Sequence, residues 1–164
     1  LTGAWNRRFL EHNFRRIIEG FRQRDARIHF AVLDIDNFKG TNDRHGHHHG
    51  DVVLRQFVRV FHERLGEDGY MIRLGGDEFA LLYCGDDIDA VMSASLAALD
   101  DDTGLGAVTA SVGVVRIGIG GAMVLDSIYR RADQALYSEK RRRERRPPPD
   151  ESPPDLTTTI GETA

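Results

Sequence analysis

Cysteine is almost absent from this 164-residue chain, which holds one, Cys84. No disulfide can form within the chain, and that suits the cytoplasm. Cys84 stands in an apolar run and reads as a small buried hydrophobe. Long hydrophobic runs are lacking too. No stretch approaches the ~20 apolar residues of a membrane-spanning helix, and no secretory signal pattern is visible. The residues therefore predict no membrane contact of their own. Neither charge dominates: 22 basic residues face 26 acidic ones, for a net charge of −4. That balance argues against a dedicated nucleic-acid binder. All five prolines lie beyond Arg146. Internal repeats are missing, as is an initiating methionine. Leu1 opens the chain and helical patterning begins almost at once, so the sequence reads as a piece of something longer.

What is present is ordinary for a soluble globular domain, with 40% hydrophobic and 29% charged residues. The length suits one domain with a real core, expected over residues 1–146. Residues 147–164 are rich in Pro, Thr and acids, and disorder is expected there. Basic charge concentrates at the end of the domain. Lys140 to Arg146 hold six basic residues and one acid, whereas residues 1–139 carry a net charge of −5. On its own this cluster reads as a solvated helix end, with cations near the C-terminal dipole.

Hydrophobic periodicity orders the elements. Leu10, Phe14, Ile17, Ile18 and Phe21 recur at helical spacing and predict a helix over 4–24. Residues 27–34 are nearly continuously apolar and predict a buried central strand. A polar, Gly- and His-rich stretch follows from Asp36 to Gly50. Leu54, Phe57, Val58, Phe61 and Leu65 predict a helix over 50–65. Two short strands are expected at 70–74 and 78–84, with Gly75-Gly76 between them as a hairpin signal. A helix over about 86–99, a β-rich segment over 107–117 broken by Gly118, Gly120 and Gly121, and a last helix from Leu125 complete the order. With the first helix set aside, the plan is β-α-β-β-α-β, the ferredoxin-like arrangement of an α+β fold. In that plan the first strand and the hairpin lie side by side at the centre of the sheet.

Both of those places carry carboxylates. Asp34 and Asp36 end the hydrophobic strand, and Asp77 and Glu78 follow the glycine pair. Neighbouring strands would let Asp34 and Asp77 share divalent cations. Oxygen ligands of this kind suit Mg²⁺ or Mn²⁺, which also bind substrate phosphates. Gly75 and Gly76 allow a tight turn and close approach of backbone to a ligand. Singly, each feature has a plainer reading: a strand-end aspartate is commonly a solvated or capping residue, and Gly-Gly in a hairpin is commonly just a turn. Their joint occurrence in order raises them.

Five blocks then carry a family resemblance. Gly75-Gly76-Asp77-Glu78-Phe79 is an intact Gly-Gly-Asp-Glu-Phe signature. Asp34-Ile35-Asp36-Asn37-Phe38-Lys39-Gly40-Thr41-Asn42-Asp43 resembles D-x-D-x-F-K-x-x-N-D. Gly46-His47-His48-His49-Gly50-Asp51 continues as G-H-x-x-G-D. Leu1 to Arg8 resembles L-T-G-x-x-N-R-R. Ala132 to Lys140 resembles A-D-x-A-L-Y-x-x-K. In this order and spacing the chain resembles the GGDEF domains of bacterial diguanylate cyclases, and the resemblance spans residues 1–140.

The resemblance implies a nucleotidyl-cyclase or polymerase-palm-like sheet, GTP as substrate and cyclic di-GMP as product. It implies a pair of Mg²⁺ or Mn²⁺ ions per GTP, held by Asp34, Asp77 and the carbonyl of Ile35. Glu78 would act at the reacting centre, as a ligand or in deprotonating the attacking 3′-hydroxyl. Asn42 and Asp51 would read guanine, whose paired ring N–H and amino donors suit a carboxylate. Lys39 and Lys140 would contact the triphosphate as point charges. Phe38 would line the nucleotide pocket, and His47, Gly75 and Gly76 belong to the same substrate-binding set. Two domains would meet with two-fold symmetry as a transient or regulated homodimer. A sensor or regulatory region would precede Leu1, and through it the whole protein could reach a membrane.

Two departures stand out. The family pattern has arginine four residues after the closing lysine, where this chain has Glu144, flanked by Arg143 and Arg145 at other helical angles. The family's R-x-x-D product-inhibition pair aligns with Gly66 and Gly69, so that site is expected to be absent. The histidines at 45, 47, 48 and 49 admit a zinc reading, but the G-H-x-x-G-D match already accounts for the segment. Two alternatives to an active cyclase remain at this point. One is a silent module that binds GTP or cyclic di-GMP as a signal; the other is a dimerisation module of a larger signalling protein.

Overall fold

The computed structural model describes residues 2–101, 108–118 and 124–145. At its centre is β2 (Ile28–Ile35), apolar on both faces and almost wholly buried. Antiparallel β4 (Glu78–Cys84) flanks it on one side and antiparallel β5 (Ala110–Ile117) on the other. β3 (Gly69–Gly75) pairs with β4, and a two-residue β1 (Trp5–Asn6) adds a parallel edge to β3. The sheet order is β1-β3-β4-β2-β5. Without β1 this is the ferredoxin-like order expected from the sequence, with the hairpin beside the first long strand.

Alternation along β2 divides the core into two layers. Phe30 and Val32 face α1 (Arg7–Arg22) and α5 (Leu125–Glu144), packing with Leu10, Phe14, Ile18, Ile128, Ala132 and Leu136. Ala31, Leu33 and Ile35 face α3 (His47–Leu65) and α4 (Ile88–Asp101), packing with Phe57, Phe61, Met92 and Leu99. The seat of α5 is unusually close. A Cβ on Gly113 of β5 would strike the carbonyl of Ala132 and the amide of Leu136, so helix backbone lies directly on the strand. Cys84 is buried, with its Sγ 3.8 Å from the Phe21 carbonyl, and burial pushes its thiol up. That matches the reading of it as a small hydrophobe. Among the described residues no helix is long and apolar enough to cross a membrane.

Several element boundaries differ from the periodicity. The first helix begins at Arg7, because Trp5 and Asn6 pair with Ile72 and Arg73 in the sheet. Asn6 then caps the helix, its side chain accepting from the Phe9 amide at 2.8 Å. Asp87 caps α4 in the same way, accepting from Ala90 at 2.8 Å, and so starts that helix later than expected. The polar stretch contains a helix, α2 (Phe38–His45), that has no buried residue and therefore no apolar stripe to announce it. Helix α3 starts at His47, just past Gly46, whose φ of 85° makes the break between the two helices. Gly120 and Gly121, and the tail 147–164 expected to be disordered, lie outside the described residues.

Candidate functional site

The carboxylates meet at one end of the sheet because strand register puts them there. Asp34 is the residue opposite Glu78 in β4 and opposite Ser111 in β5. The Ile35 amide donates to the Asp77 carbonyl at 3.3 Å, which ties the hairpin turn to the end of β2. Gly75 ends β3 and pairs with Glu78, so the turn residues are Gly76 and Asp77. Gly76 has a φ of 51°, a left-handed conformation that favours glycine. Arg73 braces this turn from beneath: its Nε and Nη2 donate to the Gly76 carbonyl at 3.0 and 2.7 Å. Asp34 and Asp77 are half-buried, while Glu78 is exposed.

Helix α5 crosses this end and supplies cations. Lys140 Nζ lies 2.7 Å from Asp34 Oδ1. One turn on, Arg143 Nη1 donates to Asp36 Oδ2 at 2.9 Å and its Nε to Glu139 Oε1 at 3.1 Å. Asp36 also accepts from Thr109 Oγ1 and Ser111 Oγ, both at 2.7 Å. The basic cluster is thus more than a solvated helix end, since two of its members face the strand-end aspartates. Glu78 is felt by Tyr129 of α5, whose phenol is pushed up by burial first and by the Glu78 carboxylate second.

The remaining predicted residues gather on α2 and α3. The φ of 52° at Asn37 turns the chain from β2 into α2. Phe38 is half-buried against the α3–α4 core layer. The side chain of Asn42 and the ring of Phe38 both close on Gly50, where a Cβ would meet Asn42 Oδ1 and come within 3.1 Å of Phe38 Cζ. The next residue, Asp51, is half-buried, whereas Lys39 and His47 are exposed. The His45 and His49 rings lie 4.8 Å apart. The chain therefore brings Asp34, Ile35, Gly75, Gly76, Asp77, Glu78 and Lys140 to one sheet end. Phe38 and Asn42 of α2 close on Gly50 of α3, and Asp51 is the next residue on that helix. A cavity of about 270 Å³ between α1 and α5 is lined by none of these residues.

The donor chemistry suits a hard cation. Asp34, Asp77, Glu78 and the Ile35 carbonyl offer only oxygen, and a cationic group, the Lys140 ammonium, already sits on Asp34. Among the described residues no three His, Cys, Asp or Glu side chains converge as a finished cage. Three contributors escaped the reading of the sequence. Thr109 and Ser111 carry no motif signal. Gly113 did carry one, because a lone glycine inside a strand pattern marks close backbone approach.

Comparison with known proteins gives this arrangement its relatives. The family model described as diguanylate cyclase, GGDEF domain, matches residues 1–146. The chain is 28% identical over 151 residues to diguanylate cyclase DgcS of Shewanella oneidensis, covering 85% of this chain and 48% of that protein. It is 31% identical over 148 residues to diguanylate cyclase DosC of Escherichia coli, covering 86% of this chain and 32% of the relative. It thus spans about half or less of the length of these curated relatives. Among solved structures, diguanylate cyclase SiaD of Pseudomonas aeruginosa, in complex with its activator SiaC, is similar at a TM-score of 0.73 and 34% identity, over 86% of this chain and 56% of that one. The GGDEF domain of DgcB from Caulobacter crescentus, in complex with c-di-GMP, is similar at 0.69 and 30%, over 85% and 87%.

Proposed function

The chain belongs to the GGDEF domain family of diguanylate cyclases, and from that membership we propose that it condenses two GTP molecules into cyclic di-GMP, releasing pyrophosphate. The observation that carries this reading is the sheet end itself. Asp34 stands opposite Glu78, Asp77 is tied to the same strand through Ile35, and Lys140 reaches in from α5. An acidic strand end with a lysine beside it is what phosphoryl chemistry needs: oxygen donors for a divalent cation and a positive charge for phosphate oxygens.

Asp34, Asp77 and the Ile35 carbonyl would hold Mg²⁺ or Mn²⁺. Bound there, the ions would supply Lewis acidity, neutralising phosphoryl charge and lowering the pKa of the attacking hydroxyl. The chain's own groups do the rest. Glu78, exposed beside Asp34, takes part at the reacting centre and accepts the proton of the 3′-hydroxyl. Lys140 turns from Asp34 to the triphosphate, and Lys39 meets the phosphates from α2. Asn42 and Asp51 read guanine, with Phe38 against the base and His47, Gly75 and Gly76 around the nucleotide. The glycines let the backbone approach the phosphates. Each domain presents one GTP, so the two new phosphodiester bonds require two domains facing one another with two-fold symmetry. Because GTP is the substrate, the reaction belongs to the cytoplasm.

The test is direct. The protein is incubated with GTP and Mg²⁺, and the product is identified by mass across a dilution series. Cyclic di-GMP, formed with a specific activity that rises with protein concentration, is expected, because productive encounters are second order in the domain. GTP binding without product would replace the reading with that of a silent nucleotide-binding module.

A further inference from the structure

The second aspartate of the D-x-D pair, Asp36, is engaged by three donors. Thr109 Oγ1, Ser111 Oγ and Arg143 Nη1 all donate to its carboxylate, at 2.7, 2.7 and 2.9 Å. A carboxylate so occupied is a holder rather than a ligand, and what it holds is a guanidinium from the helix that also brings Lys140. The two strand-end acids and the two helix cations form a ladder, with Asp34 taking Lys140 and Asp36 taking Arg143. Residues three apart share a helix face, and Lys140 and Arg143 do so here.

Position 144, where the family pattern has arginine, is an exposed glutamate in this chain. At ~100° per residue, position 144 would lie about 40° to one side of Lys140 and position 143 about 60° to the other. An arginine moved to 143 needs something to draw it toward the sheet end, and Asp36 provides that pull. Arg145 is drawn elsewhere, lining a shallow surface cavity with Ser138, Arg141 and Arg142. Two of the five N–H groups of Arg143, on Nε and Nη1, have carboxylate partners. The guanidinium keeps further donors to offer a phosphate.

We propose that Asp36, with Thr109 and Ser111, is a positioning residue for Arg143, and that Arg143 supplies the triphosphate contact that the chain lacks at Glu144. The proposal rests on the GTP reading above. It predicts a coupling between a strand-end acid, a relocated arginine and the β- and γ-phosphates, which a merely structural pinning of α5 would not produce.

The experiment measures equilibrium affinity for α,β-methylene-GTP, whose carbon bridge prevents loss of pyrophosphate, and for GMP, which lacks the outer phosphates. Arg143→Met is expected to weaken the triphosphate analogue about tenfold, as loss of a charge-assisted contact does, and to leave GMP unchanged. Asp36→Asn should give a smaller loss of the same kind. Thr109→Val, which removes one donor to Asp36, serves if Asp36→Asn fails to fold. Arg143→Met combined with Glu144→Arg should restore the wild-type ratio of the two affinities, and adding Asp36→Asn to that pair should then change nothing. An unchanged ratio in Arg143→Met, or equal losses for both ligands in Asp36→Asn, overturns the proposal. A wild-type protein that shows no preference for the triphosphate overturns the GTP reading itself, and this proposal with it.

Discussion

One rung of the sheet runs Gly75, Glu78, Asp34, Ser111. Another, toward the far end of the same strands, runs Gly69, Tyr83, His29, Arg116. Both place an ionisable side chain on β2, and the two are treated oppositely. At the first, Asp34 sits at a half-open edge and receives the ammonium of Lys140. At the second, His29 is only 7% exposed and stacks near Tyr83, with ring centroids 6.2 Å apart. Burial first, then the charges of Arg116 and Arg27, lower its pKa, and the neutral ring is favoured. Position along a strand thus decides whether a polar group on β2 is available for chemistry or closed into the core. What sets it is whether a helix end delivers counter-charge or apolar packing covers the group.

The strongest way to break this contrast acts on the open end. Asp77→Asn keeps the shape and removes a charge, so cyclic di-GMP formation should fall roughly a hundredfold or more while the fold survives. Rates with GTP and Mg²⁺, with circular dichroism as the check on folding, decide it. Near-normal turnover would remove Asp77 from the reaction. Asp51 lies off both rungs, so the base-reading role proposed for it can be tested apart from the chemistry. Asp51→Ser should lower the preference for GTP over ATP by about tenfold or more, because guanine's donor edge loses its acceptor. Competing the two nucleotides against each other reads this out, and an unchanged preference refutes the role.

Smaller effects test how the rungs are held. Gly113→Val would drive side-chain atoms into the backbone of α5, at a cost of about 3 kcal/mol of stability. It should also lower activity by shifting Lys140 and Arg143. Denaturant melts and rates should move together, and a stable, fully active variant would show that the close seat of α5 is dispensable. At the far rung, a Cβ on Gly69 would come within 2.7 Å of Leu65 Cδ2 and 2.9 Å of the Leu82 carbonyl. Gly69→Asp should therefore cost about 1–2 kcal/mol. Because Gly66 still provides no arginine, it should create no product inhibition. Initial rates of either protein with added cyclic di-GMP should stay flat.

The least effect concerns His29. Its native pKa lies below the ordinary value near 6.5. The stability it contributes is therefore present above about 6.5 and is lost as pH falls through the lowered native value. His29→Phe should flatten that acid-side decline, measured by urea unfolding across a pH series. A decline as steep as in the parent would show that His29 is already accessible to protons in the folded protein.

Burial also decides which features a sequence displays. The core strand, the hairpin and the stripe of α1 were legible because burial leaves a period: Phe30 and Val32 against Ala31 and Leu33, or Leu10, Phe14, Ile17 and Phe21. Helix α2 was not, since none of its residues is buried and an exposed helix needs no apolar repeat. β1 was missed because two residues carry no period, and only pairing with Ile72 and Arg73 makes them a strand.

For the site, the residues determined by themselves which acids end the central strand, which glycines precede Asp77 and Glu78, and that the last helix closes on Lys140 among arginines. Those are one-dimensional facts, set by hydrophobic runs that stop abruptly in charge. The tertiary structure alone decided that Asp34 faces Glu78 and Ser111 across two strands, because register depends on pairing partners far apart in the chain. It alone chose Arg143 over Arg145 for Asp36. The choice rests on which face α5 turns to the strand ends, and Arg143 shares that face with Lys140.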